Sequence, residues 1–184
     1  AEDGIRDIGV TGVQTCALPI CYGLPPGYLS RVRAIESGNG RDVYNKQSGA
    51  AGDFQFIPRT ARAYGLSDPY DTMAAAEAAA RLAADNRAAL ARGGVAAPTG
   101  AQLYLAHQQG AQGALKLLNS QAPAAAAVGQ NAVAWNAGDP NQTGASFADR
   151  VMALYEKRPA TFAERWAGAP AAVASDAAAT PAAA

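Results

Sequence analysis

The sequence predicts an all-α domain with a small loop or hairpin set between its first two helices. Two observations carry this expectation. Much of the 49% hydrophobic content is alanine, which favours helix over sheet. Several runs with apolar residues at helical spacing are also bracketed by helix-start and helix-stop residues. At 184 residues the chain is long enough for one domain with a real core.

The first helix follows Leu24-Pro25-Pro26-Gly27, where proline stands near the first helical position. Tyr28, Leu29, Val32 and Ile35 are apolar at helical spacing, Glu36 lies one turn after Val32 at the edge of that face, and Gly38 supplies the stop. Residues 39–51 hold too many Gly, Asn and Asp for a helix interior and read as a loop or short hairpin. The run Gly52-Asp53-Phe54-Gln55 then opens the next helical segment, whose helix starts near Pro58 and ends at Gly65. Folding the two helices together across the insert puts Glu36 opposite Gln55, in a cleft with one acid.

Asp68-Pro69-Tyr70-Asp71 is a turn, and Asp71 suits the N-cap of a long alanine-rich helix reaching about Arg92, stopped by Gly93-Gly94. Thr99 with Gln102 forms a capping box for a helix carrying Leu103, Tyr104, Leu105, Ala106 and His107. A break is expected at Gly110, before a short continuation through Leu117-Leu118. Residues 123–138 mix helix formers with loop signals and take no firm boundaries. Ser146 with Asp149 caps a helix with Phe147, Val151, Leu154 and Tyr155, and Thr161 with Glu164 caps a last turn that docks Trp166.

These elements place the domain at residues 22–167. Residues 168–184 are nearly all Ala, Pro and small polar residues and are expected to be a disordered tail. Residues 1–21 are set apart, because residues 10–20 resemble the in-frame translation of a common sequencing adapter. An ordinary flexible N-terminus is the other reading of that stretch, and neither reading bears on a signal peptide.

Fifteen basic residues balance fifteen acidic ones, which argues against a nucleic-acid binder. Cys16 and Cys21 are too few and too close for a disulfide framework. With one histidine in the chain there is no metal cluster to assemble, and no cofactor is expected. No apolar run is long enough to span a bilayer.

Glu36-Ser37 closing a helix, followed across the insert by Gly52-Asp53-Phe54-Gln55 and Phe56-Ile57-Pro58, resembles the soluble lytic transglycosylases of the goose-type lysozyme-like fold. Their first motif is Glu-Ser and their second Gly-Leu-Met-Gln. The separation between the motifs agrees with the family pattern, as do the Asn45…Ser48-Gly49 run and the Asp-Pro turn at Asp68-Pro69. The resemblance implies a peptidoglycan lytic transglycosylase acting on the bond between MurNAc and GlcNAc, a lyase that forms 1,6-anhydro-MurNAc. It also implies glycan strands as the partner, a monomeric domain, and a site of action in the periplasm, at the outer cell wall or in a phage virion.

Glycosidic cleavage needs an acid for the leaving oxygen, and most enzymes add a second carboxylate as nucleophile or base. Glu36 is the candidate acid, suited to it where a partly buried site favours the protonated form. By the resemblance it acts alone, first as acid and then as base. Asp53 stands where the family has an apolar residue. It is expected to cap the following helix near Phe56. The alternative makes it the second carboxylate of a muramidase that hydrolyses the same bond. Ser37 is a candidate to bond Glu36 or a sugar, against a plain backbone-bonding role at a helix end. By resemblance Gln55 contacts an N-acetyl or peptide group. Phe54, in the usual methionine position, either stacks on a sugar or packs in the core.

The third family motif, Ala-Tyr-Asn, is matched by Ala106-His107-Gln108. His107 is placed in the cleft as a substrate or Glu36 partner, with Gln108 as a substrate contact, although a lone histidine on an apolar helix is more often structural. Phe147 falls where the family often has a tyrosine pointing at the acid, so one hydrogen bond to Glu36 is expected to be missing. Drift at Asp53, His107 and Phe147 keeps a third reading open, an inactive peptidoglycan-binding or virion structural module.

Overall fold

A computed structural model describes residues 21–159 of the chain. The expectations for Cys16, the adapter-like stretch, the Thr161 cap, Trp166 and the tail lie outside the described residues. Within them the protein is all-α, with seven helices: α1 Tyr28–Glu36, α2 Pro58–Ala63, α3 Thr72–Arg92, α4 Gly100–Leu118, α5 Ala124–Val128, α6 Gln130–Trp135 and α7 Gly144–Glu156. The only β pairing among the described residues is three isolated antiparallel bridges, Tyr44 with Ala51, Ala51 with Phe56, and Pro123 with Thr143. No described helix is long and apolar enough to cross a membrane.

Helix α4 is the centre of the fold, packed between α3 and α7. Leu103, Tyr104, Leu105 and Ala106 are consecutive and all buried, so this stretch is covered on every side, as befits a helix inside a bundle. Its neighbour α3 presents a buried run of alanines, Ala75, Ala76, Ala79, Ala80 and Ala83, whose small side chains let the larger residues of α4 fill the interface. From the other side α7 contributes Phe147, Val151 and Tyr155. Helix α1 packs against α3 and α7 through Tyr28, Leu29 and Val32. The rings of Tyr28 and Tyr104 each lie 5.9 Å from that of Tyr155, and this aromatic column joins α1, α7 and α4.

The helix ends follow local chemistry. Asp71 accepts from the backbone N–H groups of Met73 and Ala74, and both halves of the Thr99–Gln102 capping box are formed. Gly93 closes α3 as expected. Gly110, with φ 69°, is non-helical inside α4 and kinks it there. The cap of α7 differs from expectation. Thr143, not Ser146, is the N-cap, its hydroxyl accepting from Ser146 N–H at 3.1 Å. The helix therefore starts one turn earlier, directly after the bridge between Thr143 and Pro123.

The insert after α1, expected as a loop or short hairpin, and the run that follows it fold into two successive tight turns that share Ala51. Asn45 N–H donates to Ala50, Gly52 N–H donates to Val43, and Ala51 and Phe56 exchange both backbone hydrogen bonds. Gly52-Asp53-Phe54-Gln55 is consequently the turn between paired residues, not the opening of a helix. Helix α2 begins only at Pro58, with Ile57 extended before it. Proline explains the boundary, because it starts a helix readily and forces its predecessor out of helical geometry. Gly52 has φ 76°, and a Cβ there would lie 1.7 Å from the Pro69 carbonyl oxygen, so the turn lies directly on the backbone leading into α3.

Gly52→Ala and Gly110→Ala separate these constraints. Both residues have positive φ, but a Cβ at Gly110 meets nothing within 4 Å. Gly110→Ala is expected to cost about 1–2 kcal/mol of backbone strain. Gly52→Ala adds overpacking and is expected to cost about 3 kcal/mol or more. Urea unfolding of the two variants measures the difference, and equal losses would contradict the close approach to Pro69.

Candidate active site

Helix α1, the two turns after it, α4 before its kink and the end of α6 line a cleft of about 490 Å³. Glu36, the last residue of α1, lines it, and is the only carboxylate in the lining among the described residues. The other polar lining residues are mostly amides, namely Asn45, Gln47, Gln55, Gln108 and Asn136, with Ser48 and Thr60. Among the described residues His107 is the only other ionisable side chain in the lining, which holds no lysine or arginine. Phe54, Phe56, Leu82 and Ile57 form apolar parts of the lining, with Trp135, 58% exposed, presenting its ring.

The Glu36 carboxylate is held from α4. Tyr104 Oη donates to Glu36 Oε1 at 3.0 Å, and Gln108 Nε2, one turn further along, donates to Tyr104 Oη. With its oxygen accepting from Gln108, the Tyr104 hydroxyl has its proton directed at Glu36. His107 Nε2 lies 3.9 Å from the same Oε1, and its ring is stacked on Tyr104 with 6.2 Å between centroids. Among the described residues both approaches fall on Oε1, which leaves Oε2 as the oxygen for a substrate. Glu36 and His107 side chains are 15% and 10% exposed, reachable yet largely out of water.

Burial, then the neighbouring Glu36 charge, push the Tyr104 phenol well above its ordinary value. It therefore stays a neutral donor to Glu36. Tyr28, fully buried with its hydroxyl unpartnered, is pushed up by burial first, then by Tyr155 and Glu36.

The expected site residues divide into two groups. Glu36, Phe54, Gln55, His107 and Gln108 all line the cleft, but Ser37 and Asp53 do not. Ser37 is completely buried, its hydroxyl donating to the Arg33 carbonyl and accepting from Gly40 N–H. A substrate-binding role for Ser37 is thereby corrected to a helix-end clasp. Phe54 is 1% exposed and belongs to the core, so it forms the floor of the cleft and offers no face for stacking. Gln55 adopts φ 48°, and its side-chain amide donates to the Gly52 carbonyl, bracing the turn.

Both expectations for Asp53 are corrected. No side chain caps α2, and Asp53 Oδ2 instead accepts from Arg33 Nε at 2.9 Å and Thr72 Oγ1 at 2.7 Å. It is 6% exposed and outside the cleft lining, so it is not placed to serve as a second carboxylate. The hydrogen bond expected to be missing at Phe147 is made from another helix. Phe147 is core, and Tyr104 supplies the phenol.

Two functional candidates escaped the sequence reading. Tyr104 sits in an unbroken apolar run and reads as core, and only its hydroxyl gave a signal. Trp135 lies in the segment whose helix boundaries were ambiguous, although a lone tryptophan beside Asn136 was a visible cue.

Among the described residues no group of three or more His, Cys, Asp or Glu side chains is placed to hold a metal ion. Cys21 is disulfide-bonded and stands away from the cleft lining. No family model and no curated protein matches the chain.

The raised phenols give a stability prediction with a definite sign. A group whose folded value lies above its unfolded value of 10.0 stabilises fully below that pH and loses the contribution as pH rises through the folded value. Tyr28 and Tyr104 are therefore expected to ionise only as the protein unfolds in alkali. Phenolate absorbance and helical circular dichroism followed together should show a shared step above pH 10. Ionisation of both phenols before any loss of helix would refute their burial.

Proposed function

We propose that the protein is a peptidoglycan lytic transglycosylase on a lysozyme-like helical domain, with Glu36 as its single acid and base. The observation that carries this reading is that, among the described residues, one carboxylate stands in a cleft otherwise walled by amides, a histidine and exposed aromatic surface. Hydrolysis by the usual route needs two carboxylates across the bond. One carboxylate suffices where the substrate supplies its own nucleophile. The described lining, rich in amides and without lysine or arginine, favours an uncharged sugar chain over a polyanion, and amides suit the hydroxyl and N-acetyl groups of such a chain.

In the first step the Glu36 carboxyl gives its proton to the oxygen joining MurNAc to GlcNAc, and the bond from that oxygen to the MurNAc anomeric carbon breaks. In the second step the MurNAc 6-hydroxyl closes on the anomeric carbon while the Glu36 carboxylate takes its proton. The glutamic acid is regenerated, no water is consumed, and the products are a free GlcNAc 4-hydroxyl and 1,6-anhydro-MurNAc. Tyr104, fixed by Gln108, holds Oε1 throughout and stabilises the carboxylate formed between the steps. Trp135 offers a flat apolar face at the cleft for a sugar ring.

Mass spectrometry of muropeptides released from purified sacculi tests the reading. Products lighter by one water than those of hydrolysis are expected, and Glu36→Gln should lower their release at least about a hundredfold. Reducing-end products would point instead to a muramidase, and no release by the folded wild type would favour a binding module. Trp135→Ala is expected to raise KM roughly fivefold, the loss of ~1 kcal/mol of stacking, with kcat nearly unchanged. A fall in kcat alone would remove Trp135 from substrate binding.

A further inference from the structure

We infer that Asp53 is a positioning residue, which through Arg33 and Thr72 sets the turn bearing Gln55 against the helix bearing Glu36. The inference rests on the reading of the cleft as an active site and extends it to a side chain outside the lining. A single oxygen, Asp53 Oδ2, accepts from Arg33 on α1 and from Thr72, the first residue of α3. Arg33 precedes Glu36 by one turn of α1, and Asp53 precedes Gln55 by two residues in a four-residue turn. Three elements that meet at the cleft are thus tied at one point.

The turn's own backbone bonds do not make this link. They run to Val43 within the insert and between Ala51 and Phe56, and none reaches α1. Side-chain exposure is 15% for Arg33 and 7% for Asp53, so water competes little for the pair. The Gly40 backbone, bonded to Ser37 Oγ, lies over it, where a Cβ would come within 2.9 Å of Asp53 Oδ1. Replacing a buried ion pair with apolar side chains of similar size is often neutral for stability. What such a pair adds here is direction, because charge-assisted hydrogen bonds fix an angle that apolar packing leaves loose. Misplacing a catalytic or binding group by about 1 Å can lower turnover about a hundredfold.

The test dissociates stability from turnover in the full chain, using thermal unfolding and the kinetics of sacculus digestion. The triple variant Arg33→Met, Asp53→Leu, Thr72→Val carries no lone charge and is expected to recover most of the melting temperature that Asp53→Leu alone loses. Its kcat is nevertheless expected to stay about a hundredfold below wild type. Asp53→Asn keeps an oxygen that accepts from both donors, and should hold kcat within a few-fold of wild type even where it melts lower. Turnover that follows stability instead, with the triple variant as active as wild type, would make Asp53 merely structural and overturn the inference. Wild-type digestion in the same assay separates the two levels, since an inert wild type overturns the reading of the cleft itself and this inference with it.

Discussion

The hydrogen bond from Tyr104 to Glu36 is the constraint on which the site depends. A carboxylate that is mostly out of water needs a donor, because leaving it unpaired costs more than the bond gains. Among the described residues α4 supplies it, through a Tyr104 ring packed where the Tyr28–Tyr155–Tyr104 column puts it. The end of α1 is thereby fixed against the middle of α4. Burial keeps the phenol neutral, so it remains a donor to Glu36.

What was legible in the sequence was local. The Asp71 cap, the Thr99–Gln102 box and the kink at Gly110 are decided within a few residues, and each formed where its residues stand. The all-α class followed from the same local signals. Asp53 was misread for the complementary reason. A cap three residues away is the partner that a sequence offers, whereas Arg33 and Thr72 lie 20 and 19 residues distant. Tyr104 shows a different limit, since an aromatic residue in an apolar run reads as core, and it is core, but its hydroxyl reaches a group 68 residues away. Trp135 was obscured by a segment that splits into two short helices around Gly129.

The two turns after α1 show why Gly52-Asp53-Phe54-Gln55 lies where it does. Pro58 disfavours helical geometry at Ile57, which is extended, so α2 does not reach back through it into residues 52–55. The chain pairs Ala51 with Phe56 instead and leaves four residues to turn between them. That turn sends Phe54 inward to the core and brings Gln55 to the cleft wall, while Asp53 meets Arg33 and Thr72. One tight turn therefore serves packing, cleft lining and attachment at once, which is why its first residue has no room for a side chain.

Helix α4 completes the arrangement by stopping its regular course at the right place. Tyr104, His107 and Gln108 stand at i, i+3 and i+4, a spacing that puts them on one face of a helix, beside Glu36. Had the helix run straight on, the same face would have continued past the acid. The kink at Gly110 breaks that course two residues later, and Trp135 and Asn136 at the end of α6 join the lining of the cleft. The helix before the kink thus brings Tyr104 and His107 to one oxygen of the Glu36 carboxylate, and the packed Tyr104 ring keeps that side of it fixed.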